Sequence, residues 1–316
     1  MPGSVLEIVP DTLYAVGGGL PDSLPVSWLT DGRVGWMPVQ CYVFRGGGDA
    51  MVLDSGIGAH RRLVADGLAG LLHGAGRKRV LVGRWEPDAM VNLPSLIEAF
   101  GIREILSYGG INPLDFFEGF EAAVTHSVAQ QAAGPAELVP IGPGDVIEVG
   151  RLRLEVLSPV LRLLLTTWYY ERVTRSLFTA DAFGLLANPD APYPCIAHPE
   201  PGRLSPEILR ENLVTKFDWL IGAHCDALVA DLARLRDGFT IDRICPTFGA
   251  VIEGSDAVTA VFDAAIAALE MLARERPRRA LAGFDWQRAL SPLASVDPFD
   301  RGRRPATAGS AIGRAE

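Results

Sequence analysis

Short apolar runs of four to six residues, set off by glycine, proline and aspartate, dominate the first half of the chain. Runs at 6–9 and 13–16 predict strands separated by Pro10-Asp11, and Gly17-Gly18-Gly19 predicts a turn that ends the second. Runs at 39–44 and 50–54 flank Arg45-Gly46-Gly47-Gly48-Asp49, a connection that suits a β-hairpin. The period then changes. Leu63, Val64, Leu68, Leu71 and Leu72 predict a helix over 61–73, and helices are also expected at 93–100 and at 112–123, around Phe116, Phe117 and Phe120. Strands are expected at 79–83 and 102–106.

The second half repeats the order. Runs at 137–140, 146–148 and 152–157 predict successive strands, split by Gly142-Pro143-Gly144-Asp145 and Gly150-Arg151. Residues 176–179 form a strand ending near Asp181, and 241–245 form the last one. Helical periodicity covers 206–235, with a break near Gly222, and returns strongly at 257–274. Trp168-Tyr169-Tyr170 falls in a predicted loop, where the rings would either stack on a substrate or cover the core. Residues 301–316 are rich in Gly, Ala and Arg without apolar periodicity and read as a loosely held tail. Strands followed by helices in both halves predict an α/β fold with two sheets sandwiched between helices in one domain.

Composition narrows the partners. With 316 residues, 48% hydrophobic and 21% charged, the chain can bury a full core. Lys and Arg number 29 against 38 Asp and Glu, a net charge of −9 that disfavours a nucleic-acid or anionic-membrane surface. No run approaches the roughly 18 apolar residues of a membrane span, and the segment after Met1 lacks the features of a signal peptide. Cys41, Cys195, Cys225 and Cys245 lie far apart without a Cys-x-x-Cys pair, so reduced thiols and a cytoplasmic location are expected.

The chemistry-bearing segment is Arg84-Trp85-Glu86-Pro87-Asp88-Ala89, directly after the 79–83 run. Two carboxylates at i, i+2 beyond a strand could rim a metal site, yet an arginine and an alanine flank them where imidazoles would serve. Trp85-Glu86-Pro87-Asp88 with Asn92-Leu93-Pro94 resembles the His-x-Glu-x-Asp-His and Ser-Leu-Pro elements of the oxygen-reducing di-iron domain of flavodiiron proteins. Met51-Val52-Leu53-Asp54-Ser55-Gly56 resembles that family's Asp-Thr-Gly turn. Leu177 to Gly184 is similar to its strand bearing the bridging aspartate, and Ile244-Cys245-Pro246-Thr247-Phe248-Gly249 to its last histidine turn. The resemblance spans residues 5–255 and implies a metallo-β-lactamase-type αββα sandwich over 1–255. The C-terminal helix and tail would occupy 256–316, with no flavodoxin domain for FMN.

On the matched positions, the histidines are Arg84, Ala89, Arg162 and Phe248, while the acids Glu86, Asp88 and Asp181 persist. Arginine offers no lone pair to a metal, so no metal and no other cofactor is expected. The same exchange suggests that Arg84 and Arg162 supply the positive charge, pairing with Glu86, Asp88 and Asp181, while Phe248 fills the volume of an imidazole. Two uses fit this composition: a locked structural network, or a pocket in which an arginine takes a small anionic ligand. The functional expectation is a degenerate, metal-free protein acting in binding, regulation or assembly, with a small anionic ligand or a protein as partner. The alternatives are an enzyme with a repurposed acid/base or redox pocket and, last, a di-iron oxidoreductase with unorthodox ligands. The family's homodimer is also expected, with the 257–274 helix as one contact. Outside the motifs, Cys195, His198, His224 and Cys225 could assemble a relocated metal site only if the fold gathers them, and His60 reads as a solvated residue at a helix start.

Overall fold

The computed structural model describes residues 4–21, 35–115, 136–163 and 165–275, which form one compact unit ending at Glu275. Predicted features beyond Asp115 in the 112–123 segment, and the 301–316 tail, lie outside the described residues.

The first sheet has the order β1 (Val5–Val9), β2 (Leu13–Pro21), β3 (Trp36–Gly46), β4 (Asp49–Leu53), β5 (Lys78–Leu81), β6 (Glu104–Tyr108) and β7 (Glu137–Ile141). Its first four strands pair antiparallel and its last four parallel. Gly47 and Gly48, at φ 60° and 89°, close the β3–β4 hairpin, a two-residue turn that needs left-handed backbone at both positions. Helices α1 (Arg61–Leu72), α2 (Pro87–Met90) and α3 (Leu93–Phe100) lie in the connections that follow β4 and β5.

The second sheet uses β8 (Val146–Val149), β9 (Leu152–Leu157), β10 (Trp168–Glu171), β11 (Ser176–Ala180), β12 (Ile196–Ala197), β13 (Arg243–Pro246) and β14 (Val251–Glu253). Their order is β12-β14-β13-β11-β10-β9-β8. Helices α4 (Pro206–Lys216), α5 (Asp226–Gly238) and α6 (Ser255–Arg274) cover its outer face. Three apolar layers result. Val64, Leu68, Leu96 and Ile97 pack under the first sheet; Phe44, Met51, Tyr169 and Phe178 lie between the sheets; Leu177, Leu209, Leu232 and Phe262 fill the space beneath α4–α6. This is the αββα sandwich expected from the sequence.

Several local expectations change. Gly17-Gly18-Gly19 is not a turn but the continuation of β2, paired with Gln40, Val39 and Pro38 of β3. A Cβ on Gly17 would lie 2.1 Å from the Val39 carbonyl oxygen, so glycine is there for close backbone approach. Trp168-Tyr169-Tyr170 is a buried strand rather than a loop. Tyr169 points between the sheets, whereas Trp168 and Tyr170 pack beneath the helices. These rings therefore cover the core. The 206–235 helical pattern divides into α4 and α5, with a 3-10 turn at Asp218–Leu220 between them. Helix α6 buries Val258, Val261, Phe262, Ala265, Leu269 and Leu272 at helical spacing, directing this apolar face into the core of its own chain.

Candidate functional site

Arg84 stands three residues beyond the end of β5, where the backbone is stitched across to the second sheet. Thr167 N–H donates to Gly83 O at 2.9 Å, and Arg84 bridges Thr166. From below, Asp54 fixes the same corner: its Oδ1 accepts from Gly83 N–H at 2.8 Å and from Arg84 N–H at 3.3 Å. Asp54 holds φ 62°, an uncommon backbone for aspartate, and is buried. Burial pushes its carboxyl up to about 7, although Arg84 and the two backbone donors pull the other way.

The Arg84 side chain is 0% exposed. Its Nε donates to Asp181 Oδ2 at 3.0 Å, and its Nη2 donates to Glu86 Oε2 at 2.8 Å and to both oxygens of Asp88 at 3.1 Å. Asp181 Oδ1 lies 2.9 Å from Nη2 as well. One guanidinium therefore touches all three carboxylates, two of them on the segment just after β5 and the third just after β11. Burial alone would lower the Arg84 pKa, but Asp181, Asp88 and Glu86 outweigh it and raise it above the ordinary value. Burial also raises Glu86, against the attraction of Arg84. Arg84 Nη1 and Glu86 Oε1 are buried without a hydrogen-bond partner among the described residues.

A second cation comes from a residue the sequence did not single out. Lys216, at the last position of α4, places Nζ 3.2 Å from Asp181 Oδ1. Phe248 lies under both charges, its ring centroid 5.0 Å from Arg84 Cζ and 4.7 Å from Lys216 Nζ. The aromatic face is thus a cation platform, more than a filler of volume. Ala89 is buried, and its carbonyl accepts from both N–H and Oγ of Ser55, each at 2.7 Å. That contact locks the segment after β5 to the turn after β4.

Arg162 corrects the expectation. It is exposed and donates to Ser158 Oγ at 2.7 Å, so it is not the second counter-ion. Nearby, Val160 N–H donates to Asp231 Oδ2 of α5 at 2.8 Å. Lys216 supplies the charge instead. Carboxylates close the Nε and Nη2 edge of the Arg84 guanidinium. His60 also departs from its predicted solvation: it is buried, and burial lowers its pKa.

The donor set does not fit a di-metal centre. A cation bound by Glu86, Asp88 and Asp181 would need their oxygens at about 2.0–2.2 Å, with imidazoles to complete the shell. Here the guanidinium of Arg84 occupies the space those oxygens face. Among the described residues, no group of three or more His, Cys, Asp or Glu side chains is arranged to hold a metal, and this includes Cys195, His198, His224 and Cys225. His198 instead lies 3.7 Å from Glu253.

Comparison with solved structures identifies the architecture. The chain superimposes on rubredoxin oxygen:oxidoreductase from Desulfovibrio gigas with a TM-score of 0.58 at 15% identity, covering 84% of this chain and 61% of that one. This is the fold of the flavodiiron metallo-β-lactamase-like core. A metal-soaked flavodiiron core from Synechocystis matches with a TM-score of 0.62 at 16% identity, covering 84% and 60%. A fragment of a diflavin flavoprotein from Nostoc matches with a TM-score of 0.58 at 16% identity, covering 86% of this chain and 98% of the fragment. The chain thus spans about 60% of the length of the first two proteins. No sequence-family model and no curated protein matches it. Among the described residues, no helix is long and apolar enough to cross a membrane.

Proposed function

We propose that this chain is a metal-free member of the flavodiiron-type fold, with an internal arginine in the place of the metals, and that it acts as a binding, regulatory or assembly component. One observation carries the reading: a fully buried guanidinium contacts Glu86, Asp88 and Asp181 at once. Those are the positions at which the resembling motifs keep their acidic ligands. Cations that open metal sites leave to exchange solvent are here side chains, so reduction of oxygen or nitric oxide at iron is not the activity we propose.

Of the two uses left open by the sequence, a locked network is favoured over an anion pocket. The single feature behind that preference is the absence of solvent exposure at Arg84. A homodimer is the assembly we propose, to be checked by light scattering of the full chain.

The test is elemental analysis of protein expressed in medium supplemented with iron, zinc and manganese. The expected result is far less than one equivalent of any of them per chain. About two irons per chain that persist through gel filtration would overturn the proposal.

A further inference from the structure

A small cavity lies beneath the Gly83–Arg84 corner, between the two sheets. Its volume is about 10 Å³, and its polar wall comprises Tyr42, Asp54, Thr167, Tyr169 and Thr247. Every one of these residues is at most 4% exposed. A cavity holds a water when it admits about one probe sphere, on the order of 10–15 Å³, and presents two to four polar partners. This cavity meets the lower size limit, and its wall is polar.

The wall is also incompletely paired. Asp54 engages Gly83 and Arg84 through Oδ1 alone, and among the described residues no donor reaches Oδ2. The Tyr169 hydroxyl donates to Val82 O at 3.3 Å and is also hydrogen-bonded to the Thr167 side chain. The Tyr42 hydroxyl is already occupied, donating to Pro246 O and accepting from Gln40 Nε2. A buried carboxylate oxygen without a donor costs roughly 1–3 kcal/mol, and buried polar groups are rarely left so.

We propose that the cavity is a one-water site, in which the water donates one hydrogen to Asp54 Oδ2 and the other to a hydroxyl oxygen of the wall. The water would complete the support of the strand end that presents Arg84. This inference stands apart from the metal-free reading, because it concerns the layer between the sheets and would hold whatever the protein binds.

A crystal structure of the full chain at about 1.5 Å resolution tests it. The expected result is one density peak about 2.6–3.1 Å from Asp54 Oδ2 and from one hydroxyl of the wall. A cavity without density overturns the proposal. So does a peak with oxygen contacts near 2.4 Å that gains anomalous signal when sodium is exchanged for rubidium, which would mark a cation.

The Gly83→Ala variant supplies a second reading. Its methyl would lie 3.4 Å from both carboxylate oxygens of Asp54 and 3.0 Å from Leu53 Cδ1. The peak should disappear and Tm should fall by about 3 °C or more. An unchanged or raised Tm would mean that the methyl fills an empty space, contrary to the proposal. If the variant fails to fold, the wild-type density still decides.

Discussion

Replacing Arg84 by methionine keeps most of the buried volume and removes the charge. Glu86, Asp88 and Asp181 would then face one another, with Lys216 as the remaining cation in the cluster. Arg84 makes contacts of 2.8–3.1 Å to three carboxylates and is 0% exposed, with Asp181 at 1%, so solvent screens that pair little, while Glu86 and Asp88 keep 18% and 27% exposure. Breaking a buried pair by deleting one partner costs about 3–5 kcal/mol. In a domain of this size each kcal/mol shifts Tm by roughly 2–4 °C, so a fall on the order of 10 °C is expected at pH 7.5. Urea denaturation followed by circular dichroism would measure the free energy, and calorimetry the Tm. The cost must also shrink in acid, because Arg84 draws the Glu86 pKa down and its removal lets carboxyls in the cluster take up protons at higher pH. At pH 4.5 the difference between wild type and Arg84→Met should be less than half its value at pH 7.5. A loss below about 1 kcal/mol at neutral pH, or one independent of pH, would refute the counter-ion argument.

Asp54 gives the opposite pH signature. Its folded pKa of about 7 lies above the unfolded value, so its protonated form favours folding and that contribution is lost as pH rises from about 4 through 7. Asp54→Asn should remove this component of the pH dependence, and titration of the carboxyl by carbon-13 NMR checks the assignment. Lys216→Met should cost about 1–3 kcal/mol, whereas Arg162→Ala should stay within about 0.5 kcal/mol. Equal effects of the two, measured by denaturation, would contradict the placement of the second cation. Gly17→Ala should destabilise by more than the ~1 kcal/mol typical of point mutants, because its methyl meets the Val39 carbonyl at 2.1 Å, and a neutral result in the same assay would count against the close approach.

The sequence was most readable where chemistry is local. Arg84, Glu86 and Asp88 sit within five residues, so their mutual contact follows once the segment leaves a strand, and Asp181 follows from the short run after β11. Lys216 gave no such signal: it ends a helix 35 residues beyond Asp181 in a register set only by tertiary packing. The sequence does not place Arg162, because residues 158–165 have no periodic pattern to fix which side chains face inward. Trp168-Tyr169-Tyr170 reads as a loop in the sequence because both faces of β10 are buried, which erases the polar alternation by which strands are usually read. Gly17-Gly18-Gly19 misled for a related reason: glycine marks turns and tight interstrand approaches alike.

The arginine at the centre of the site has one consequence that concerns mass action. A bound ion stabilises a fold by an amount set by its free concentration relative to its dissociation constant. Such a site empties on dilution, under chelators or in a starved cell. Arg84 is covalently part of the chain, so its local concentration is fixed by the backbone and no chelator can extract it. Folding of this layer should therefore proceed identically in metal-replete and metal-stripped buffer, with the neutralising charge delivered by translation itself.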